Sequence, residues 1–436
     1  MVKMKDSGIE WIGEIPEDWP LELFKNILWE RSEKNYPIKS RERLSLSIDK
    51  GVTLYAEKTT NLDRFKEDFD EYKLAYEGDL VMNSMNVISG AVGISKYFGC
   101  VSPAYYTYYD KDENHYYARY CDYVFKCQTL RRLLFALGKG IMAIDRGNGK
   151  VNTCRLKVAR EDLGRLKIPY PKYEVIKDIV NNLDFNCTKI DGLKNDIQKQ
   201  IEILEQYKKS VITEAVTKGI NSNAKMKESG IEWIGEIPEH WDTKKGKYIF
   251  TQRNEKGNSI ELQLLSPTQK YGVIPQALYD EISGMNSVKL KENTDFNLLK
   301  TCHKGDYCIS LRSFQGGFEY SKYEGVVSPA YQIFYPTIEI ADGYYKYLFK
   351  EKNFIEKINS FTLSLRDGKP ISYFDFANMY LPLPSAEEQK QIADYLDKKC
   401  SSIDSIIFTK KQQLEKLEEY KKSLIFEYVT GKKEIV

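Results

Sequence analysis

A duplicated stretch is the feature that most restricts how this chain can fold. "MKDSGIEWIGEIPEDW" begins at Met4 and "MKESGIEWIGEIPEHW" begins at Met226, so sixteen residues recur with only two differences. Each copy contains two Trp and one Pro, and such a match does not arise by chance. We therefore treat the 436 residues as two copies of one module, because internal self-similarity indicates a repeated architecture.

The rest of the chain repeats in the same order. Three pairs of segments correspond: "EGDLVMNSMN" at Glu77 with "KGDYCISLRS" at Lys304, "SKYFGCVSPAYY" at Ser95 with "SKYEGVVSPAYQ" at Ser321, and "LKIPYP" at Leu166 with "MYLPLP" at Met379. Runs rich in Val, Ile, Tyr and Phe, such as "DLVMNS", "GAVGISKY" and "VVSPAYQIFYP", are typical of strands. "YEVIKDIVNNL" and "FIEKINSF" are typical of helices. Each module is therefore expected to start with a mixed α/β domain.

Apolar side chains recur every seven residues at the end of each module, which predicts a long amphipathic helix with an apolar seam. The seam of the first copy is formed by Leu183, Ile190, Ile197, Leu204 and Val211, with Cys187, Ile201 and Ala215 at the interleaved positions. The seam of the second copy is formed by Leu396, Ile403, Leu417 and Leu424, and Lys410 interrupts it. Each helix could pack only on its own domain, but the matched seams favour pairing of the two helices.

The order of the elements fixes the direction of that pairing. The first helix leads from the first domain to the second, and the second helix starts at the second domain, so seam-to-seam pairing makes them antiparallel. The predicted fold class is α+β: two repeated mixed α/β domains separated by two long antiparallel helices that form a coiled coil, with pseudo-twofold symmetry. The predicted mixed domains are residues 1–172 and 223–384, and the predicted helical regions are residues 173–222 and 385–436. The second helix is expected to return to the first domain.

Two Trp recur in each copy of the opening segment. They are Trp11 and Trp19 in the first copy and Trp233 and Trp241 in the second. Large aromatic side chains bury much apolar area. We expect them to pin the opening segment to a domain or a helix end, and stacking on a ligand is the alternative.

Composition excludes several classes of protein. Apolar residues make up 42% and charged residues 29% of the chain, and no run of about 18 apolar residues is present to span a membrane. The opening "MVKMKDSGIE" lacks the apolar core of a signal peptide, and the eight Cys form no CxxC pair. These features predict a cytoplasmic protein with reduced thiols, no membrane association and no structural zinc.

Motifs for catalysis are not found. A methyltransferase acting on base amino groups would need a Gly-rich cofactor loop and an acidic-Pro-Pro-aromatic motif, and "SPAY" does not replace the latter. "GKGIMAIDRGNGK" does not match the GxxxxGK[ST] pattern of an ATP-driven motor. With only His115, His240 and His303 available, a metal cluster or catalytic triad is poorly supported. The sequence predicts no catalytic residue, no metal site and no cofactor in this chain.

Several of these segments together resemble the specificity subunit of type I restriction-modification systems. They are the doubled "SGIEWIGEIPE", the "GD" and "SPAY" segments, "LPLPSAEEQKQIADYLD" and the "YKKS" helix endings. The resemblance extends over nearly the whole chain. The resemblance implies two target recognition domains, each followed by a helical region, and no catalysis by this subunit. It also implies assembly with two methyltransferase subunits and two restriction/translocase subunits, which are expected to use S-adenosylmethionine, ATP and Mg. The first junction, "PKYEVIKDIVNNLD", departs from the pattern because it lacks "EEQ".

Local charge indicates where double-stranded DNA would bind. The net charge of the chain is only +2, but residues 126–167 contain eleven Lys and Arg against three acidic residues, a net of +8. Such a cluster is typical of phosphate contacts, and a solvated surface is the alternative for any single member. The predicted contacts are Arg131, Arg146, Lys150, Arg155 and Lys157 in the first module, and Arg366 and Lys369 in the second.

Base readout is predicted where the matched segments differ. Between the shared "GD" and "SKY" lie "LVMNSMNVISGAVGI" in the first module and "YCISLRSFQGGFEY" in the second. Asn, Gln and Arg form paired hydrogen bonds with base edges, so Asn83, Asn86, Arg312 and Gln315 are the predicted reading residues. Random change in a surface hairpin is the alternative explanation.

These observations predict a non-catalytic subunit that recognises a bipartite, asymmetric DNA site and recruits methyltransferase and restriction/translocase subunits. Two alternatives remain. A methyltransferase or nuclease fused to recognition domains is disfavoured by the missing motifs. A coiled-coil scaffold that does not bind DNA is disfavoured by the basic stretch and the duplicated mixed domains.

Overall fold

The computed structural model describes residues 3–57, 68–141, 155–257, 262–284, 296–310, 317–361 and 371–434. The chain divides into two compact units. Unit 1 comprises Met1–Gln198 and Lys411–Val436, and unit 2 comprises Lys199–Lys410. The end of the second helix therefore belongs to the same unit as the beginning of the chain, as the repeat predicted.

Unit 1 contains a four-stranded antiparallel sheet in the order Trp29–Glu30, Tyr105–Tyr109, Leu80–Asn83, Val92–Ile94. Its two-stranded pairs are Met4–Asp6 with Glu14–Pro16, Leu21–Leu23 with Lys167–Pro169, Leu44–Ser47 with Gly51–Leu54, Lys73–Ala75 with Gly99–Val101, and Lys139–Ile141 with Arg155–Lys157. Its short helices are Phe24–Ile27, Tyr116–Lys126, Gln128–Leu137 and Arg160–Gly164, with 3-10 turns at Tyr55–Glu57, Phe69–Glu71 and Val87–Ser89.

Unit 2 contains a four-stranded antiparallel sheet in the order Phe250–Arg253, Gln332–Pro336, Tyr307–Ile309, Phe318–Tyr320. Its two-stranded pairs are Met226–Glu228 with Glu236–Pro238, Asp242–Lys245 with Tyr380–Leu383, Leu265–Thr268 with Gly272–Pro275, and Lys300–Cys302 with Gly325–Val327. Its short helices are Gln276–Ser283, Tyr344–Leu348, Lys352–Ser360 and Tyr373–Asn378, with 3-10 turns at Gly246–Tyr248 and Phe296–Leu298. The strand order of its large sheet matches that of unit 1 position by position.

Two long helices, Tyr173–Lys218 and Ala386–Val429, follow the mixed regions. In unit 1, Lys421 Nζ donates to Asp191 Oδ1 at 2.7 Å, and Lys194 Nζ donates to Glu418 Oε2 at 2.5 Å. Residue numbers rise along one helix as they fall along the other, so these two segments run antiparallel.

The segments of the long helices that belong to unit 2 are also antiparallel. Lys208 Nζ donates to Asp404 Oδ2 at 2.6 Å, and Lys410 Nζ donates to Gln200 Oε1 at 2.5 Å. Asp404 and Lys421 are the repeat counterparts of Asp191 and Lys208, since both pairs are offset by the 213 residues that separate Leu183 from Leu396. The same ion pair therefore occurs once in each unit. The first long helix supplies the aspartate in unit 1 and the lysine in unit 2.

The predicted seam residues differ in burial along the helices. Six are buried: Leu183, Ile190, Val211, Leu396, Ile403 and Leu424. Three are half-buried: Ile197, Leu204 and Leu417. Cys187, Ile201 and Ala215 at the interleaved positions are buried as well.

In each unit, a tyrosine hydroxyl contacts a backbone carbonyl near the end of a long helix. Tyr120 Oη donates to the carbonyl of Val429 at 3.1 Å in unit 1, and Tyr344 Oη donates to the carbonyl of Val216 at 2.6 Å in unit 2. Val216 and Val429 are repeat counterparts, offset by the same 213 residues. The last carbonyls of a helix have no partner within the helix, so each tyrosine brings a donor to one of them. The single hydroxyl proton of Tyr120 is shared with the carbonyl of Pro169, which lies 2.8 Å from Tyr120 Oη.

The opening segments pack where these helices end, as predicted. Trp11 and Trp19 are buried in the same apolar cluster as Leu424 and Val429. Trp233 and Trp241 are buried in the cluster that contains Val211 and Val216. Lys432 Nζ also donates to the carbonyl of Ile12 at 2.8 Å, which joins the two ends of the described chain.

Candidate nucleic-acid interface

An arginine and the aspartate of the "GD" motif form the same buried ion pair in each unit. Arg31 donates to both carboxylate oxygens of Asp79 at 2.7 and 3.0 Å. Arg253 donates to both oxygens of Asp306 at 2.8 and 3.0 Å. Each aspartate side chain is only 2% exposed.

The same aspartates also hold the turn in which they lie. Asp79 accepts the backbone N–H of Tyr76, and Asp306 accepts that of His303, both at 2.8 Å. Burial raises the pKa of Asp79, and the hydrogen bonds from Arg31 and Tyr76 oppose this rise. The motif therefore fixes the start of the strand that leads to the predicted reading segment, rather than contacting a ligand itself.

The reading segment of the first module forms a tight turn after Leu80–Asn83. Asn83 Oδ1 accepts the N–H of Met85 at 3.1 Å, and Asn86 accepts the N–H of Ala91 on its backbone carbonyl at 3.0 Å. Asn86 is exposed and Asn83 is half-buried. The Asn86 amide therefore faces solvent at the tip of a rigid turn.

Arg131 supports this turn from the neighbouring helix Gln128–Leu137. Its Nη1 donates to the carbonyl of Ser89 at 3.3 Å, and its Nη2 donates to the carbonyl of Lys126 at 3.2 Å. Gly90 has a φ of +90°, a left-handed conformation that favours glycine, and the Arg131 guanidinium lies directly over it. This guanidinium thus holds the turn that carries Asn86.

A pair of lysines lies on the neighbouring two-stranded element. Lys139 and Lys157 are directly opposite each other in the antiparallel pairing of Lys139–Ile141 with Arg155–Lys157, and both are exposed. Asp162 lies 4.0 Å from Lys139, whose side chain remains 82% exposed. Like charges on facing strands repel each other, and a bound phosphate would relieve this repulsion. Sequence reasoning identified Lys157 but not Lys139, because counting charges along the sequence does not show which strands pair.

A backbone link joins the lysine pair to the reading turn. The N–H of Val158, which follows Lys157, donates to the carbonyl of Ser84 at 3.1 Å. The structure therefore brings four of the predicted residues together around one turn: Asn83, Asn86, Arg131 and Lys157.

The other predicted contacts lie outside the described residues. These are Arg146, Lys150, Arg312, Gln315, Arg366 and Lys369, and the side chain of Arg155 also lies outside. In sequence, Arg312 and Gln315 fall between the strands Tyr307–Ile309 and Phe318–Tyr320. These strands occupy the same places in the unit 2 sheet as the strands that flank the reading turn of unit 1.

Among the exposed apolar side chains of the long helices, two pairs are matched by the repeat. Leu193 and Tyr420 lie beside the ion pairs of unit 1 and are 47% and 52% exposed. Tyr207 and Ile406 lie beside the ion pair of unit 2 and are 46% and 47% exposed. Ile406 and Tyr420 are the repeat counterparts of Leu193 and Tyr207, so each unit exposes one aliphatic and one tyrosine side chain at equivalent sites.

Within the described part of the chain, no helix has the length and apolar character needed to cross a membrane. The same residues contain no group of three or more His, Cys, Asp or Glu arranged to hold a metal ion.

Comparison with known proteins shows which proteins this chain resembles. The model of the type I restriction modification DNA specificity domain matches residues 234–418. A putative type I restriction enzyme MjaX specificity subunit from Methanocaldococcus jannaschii is 27% identical over 97% of this chain and 95% of its own length. The chain is thus similar to a type I restriction enzyme specificity subunit over nearly its whole length. A second similar protein, the MjaVIII specificity subunit of the same organism, is 28% identical over 61% of this chain and 62% of its own length.

A solved structure has a similar fold. It concerns complex assembly and conformational transition of the type I R-M system, and one of its chains aligns with 96% of this chain and 99% of its own length. The TM-score is 0.63 at 12% sequence identity, so the likeness concerns the fold.

Proposed function

We propose that this chain is the specificity subunit of a type I restriction-modification system and recognises a bipartite, asymmetric DNA site, with one part of the site read by each mixed domain. The convergence of predicted reading and phosphate-binding residues around one turn of unit 1 carries this proposal. The sheet that presents this turn recurs in unit 2, while the sequence between its strands differs. Two sheets with the same strand order, whose connecting turns differ in sequence, are suited to reading two different base sequences.

The division into four parts follows from the same repeat. We assign residues 1–172 and 223–384 to target recognition, and residues 173–222 and 385–436 to a helical pair with coiled-coil packing and pseudo-twofold symmetry. The long helices beginning at Tyr173 and Ala386 support this assignment. The antiparallel ion pairs within each unit support pairing of the helices.

DNA contacts divide into two kinds in this proposal. Lys139 and Lys157 bind phosphates together with Arg146, Lys150 and Arg155, and Arg366 and Lys369 do so in the second module. Asn86 reads a base edge from the first turn with Asn83 beside it, and Arg312 and Gln315 do so in the second module. Phosphate contacts supply affinity and base contacts supply specificity.

Partner subunits supply the chemistry, because the specificity subunit has no catalytic role. We propose that two methyltransferase subunits and, for cleavage, two restriction/translocase subunits assemble with it in the cytoplasm. S-adenosylmethionine, ATP and Mg would be used by those partners and not by this chain.

The exposed apolar pairs on the helices support two equivalent docking faces. Leu193 with Tyr420 and Tyr207 with Ile406 are matched by the repeat, and aromatic side chains are enriched at protein interfaces. One methyltransferase subunit would cover each pair. Two copies of one partner can use the same contacts only if the faces are alike, and the repeat makes them alike.

Purified chain alone and in complex with the methyltransferase subunit of its own operon would test the proposal. We expect no methylation or cleavage by the chain alone, and methylation of one split, asymmetric sequence by the complex, mapped by methylation-sensitive sequencing. Methylation by the chain alone would exclude the proposal. A complex that binds all DNA sequences equally would leave only a scaffold role.

A further inference from the structure

A histidine in unit 2 lies between two carboxylates at the start of the strand that leads to the predicted reading segment. His303 Nδ1 is 2.9 Å from Glu324 Oε1, and His303 Nε2 is 3.1 Å from Glu255 Oε2. A carboxylate only accepts hydrogen bonds, and a neutral imidazole donates from only one of its nitrogens. Both contacts are hydrogen bonds only when the ring is protonated.

The three residues come from separate segments of the unit 2 fold. Glu255 follows the strand Phe250–Arg253, and Glu324 precedes the strand Gly325–Val327. His303 lies between the strands Lys300–Cys302 and Tyr307–Ile309. The cluster thus ties three segments together beside the Arg253–Asp306 ion pair.

In unit 1, the residues at the equivalent positions contact each other without a histidine. Tyr76 corresponds to His303, Glu33 to Glu255 and Phe98 to Glu324 in the matched segments. Tyr76 Oη donates to Glu33 Oε2 at 3.2 Å, and the rings of Tyr76 and Phe98 pack at 4.8 Å between centroids. The two differences are coupled, because an aromatic pair in unit 1 is replaced by an ionic pair in unit 2.

We propose that His303 is a positioning residue that fixes the base of the reading strand Tyr307–Ile309 when protonated and releases it when neutral. This inference rests on the proposed function. Recognition of one half of the DNA site would then depend on the protonation state of His303, while recognition of the other half would not.

The charged groups around the ring determine the direction of the effect. Burial lowers the pKa of His303, but the hydrogen bonds to Glu255 and Glu324 outweigh burial and raise it above the ordinary value. Arg253 opposes the rise, and its Nη1 lies 3.4 Å from Glu255. Because the folded-state pKa is raised, the stabilisation is complete below the unfolded-state pKa and is lost as the pH rises through the folded-state pKa.

The first test follows the ring itself in the full chain. The chain has only three histidines, so isotope labelling of histidine gives three ring signals that can be assigned by single substitutions. We expect Glu255→Gln with Glu324→Gln to lower the titration midpoint of His303. An unchanged midpoint would overturn the inference.

The second test compares the two units within one molecule. Hydrogen exchange of Tyr307–Ile309, corrected for the intrinsic pH dependence of exchange, should accelerate about 1.4- to fivefold as the pH rises through that midpoint, the range expected of partly exposed ion pairs. The matched strand Leu80–Asn83 serves as the internal control, measured in a His115→Gln background because the His115 ring packs on Gly78. His303→Tyr with Glu324→Phe, which transplants the unit 1 pair, should remove the pH dependence. The same pH dependence in this variant and the wild type would refute the inference.

A DNA-binding experiment distinguishes failure of this inference from failure of the proposed function. The complex with its methyltransferase subunit is titrated against a duplex carrying the methylated sequence, in wild-type and His303→Tyr/Glu324→Phe forms. Affinity of the wild type should fall about 1.4- to fivefold more over the same pH interval. Parallel pH profiles would refute the link from His303 to recognition. Lack of sequence-specific binding at every pH would refute the proposed function, while the ring titration and the exchange data would still decide whether the tie exists.

Discussion

Substitution of Arg31 by Met should loosen the sheet of unit 1 selectively. The change keeps much of the side-chain volume but removes both hydrogen bonds to Asp79, whose carboxylate is only 2% exposed. Removing one partner of a buried ion pair costs about 3 to 5 kcal/mol, because the other charge is left uncompensated. The Arg31 side chain is itself 21% exposed, so we expect the lower end of that range, about 3 kcal/mol.

Hydrogen exchange measures this effect unit by unit, which suits a chain that need not unfold in one step. About 3 kcal/mol corresponds to roughly a 100-fold loss of protection, expected at Leu80–Asn83 and its partner strand Tyr105–Tyr109. Strands of unit 2 should keep their protection in this variant, and Arg253→Met should produce the reverse pattern. Lys39→Met is the matched control, because it removes a cation from an exposed ion pair with Glu33 and should change little.

The same variant has a defined pH dependence. Burial raises the pKa of Asp79 and Arg31 opposes this, so loss of Arg31 should raise that pKa further. Protonation removes the uncompensated charge, so the destabilisation by Arg31→Met should shrink as the pH is lowered. A loss of protection below about tenfold at neutral pH, or an equal loss in both units, would refute the view that this ion pair holds the strand.

Three further predictions concern binding and assembly. Lys139→Ala with Lys157→Ala should lower the slope of log affinity against log salt by about 1.8, measured by fluorescence anisotropy with the methyltransferase complex, and an unchanged slope would remove this pair from the interface. Tyr420→Ser and Tyr207→Ser should each leave one methyltransferase subunit per chain in native mass spectrometry, and the double variant none; two subunits in the double variant would place docking elsewhere. Inserting four residues into the middle of both long helices should lengthen the pair by about 6 Å and widen the unread spacer of the methylated site by one or two base pairs, and an unchanged spacer would show that the helices do not set it.

The repeat allowed much of the fold to be predicted from sequence. Segments such as "DLVMNS" and "FIEKINSF" form the strand Leu80–Asn83 and the helix Lys352–Ser360, because their apolar patterns match the period of the element. The helix Tyr116–Lys126 was not identified. Its sequence "YYARYCDYVFK" is rich in aromatic residues that favour strands, and burial within the domain overrides that preference.

The candidate site was less predictable. Counting charges along a sequence does not show which cationic side chains form hydrogen bonds within the protein. Arg131 was selected as a phosphate contact, and in the folded chain its terminal nitrogens donate to the carbonyls of Ser89 and Lys126. Lys139 was overlooked, although strand pairing places it opposite Lys157. The Arg31–Asp79 pair joins residues 48 positions apart, and only the recurrence of an Arg at position 253 hinted at it.

The distribution of repeated and altered contacts explains how one frame can serve two recognition tasks. Contacts kept in both units are buried or involve the backbone: the Arg–Asp pair, the tyrosine at the helix end, and the lysine that donates to a backbone carbonyl, Lys73 to Tyr105 and Lys300 to Tyr331. Loss of such contacts is costly, because it leaves a buried polar group unpaired. Altered positions lie at strand ends and turn tips, where a change of side chain costs little stability. Under the proposed function, a chain built in this way can exchange the bases it reads in one half-site without weakening the scaffold of either unit.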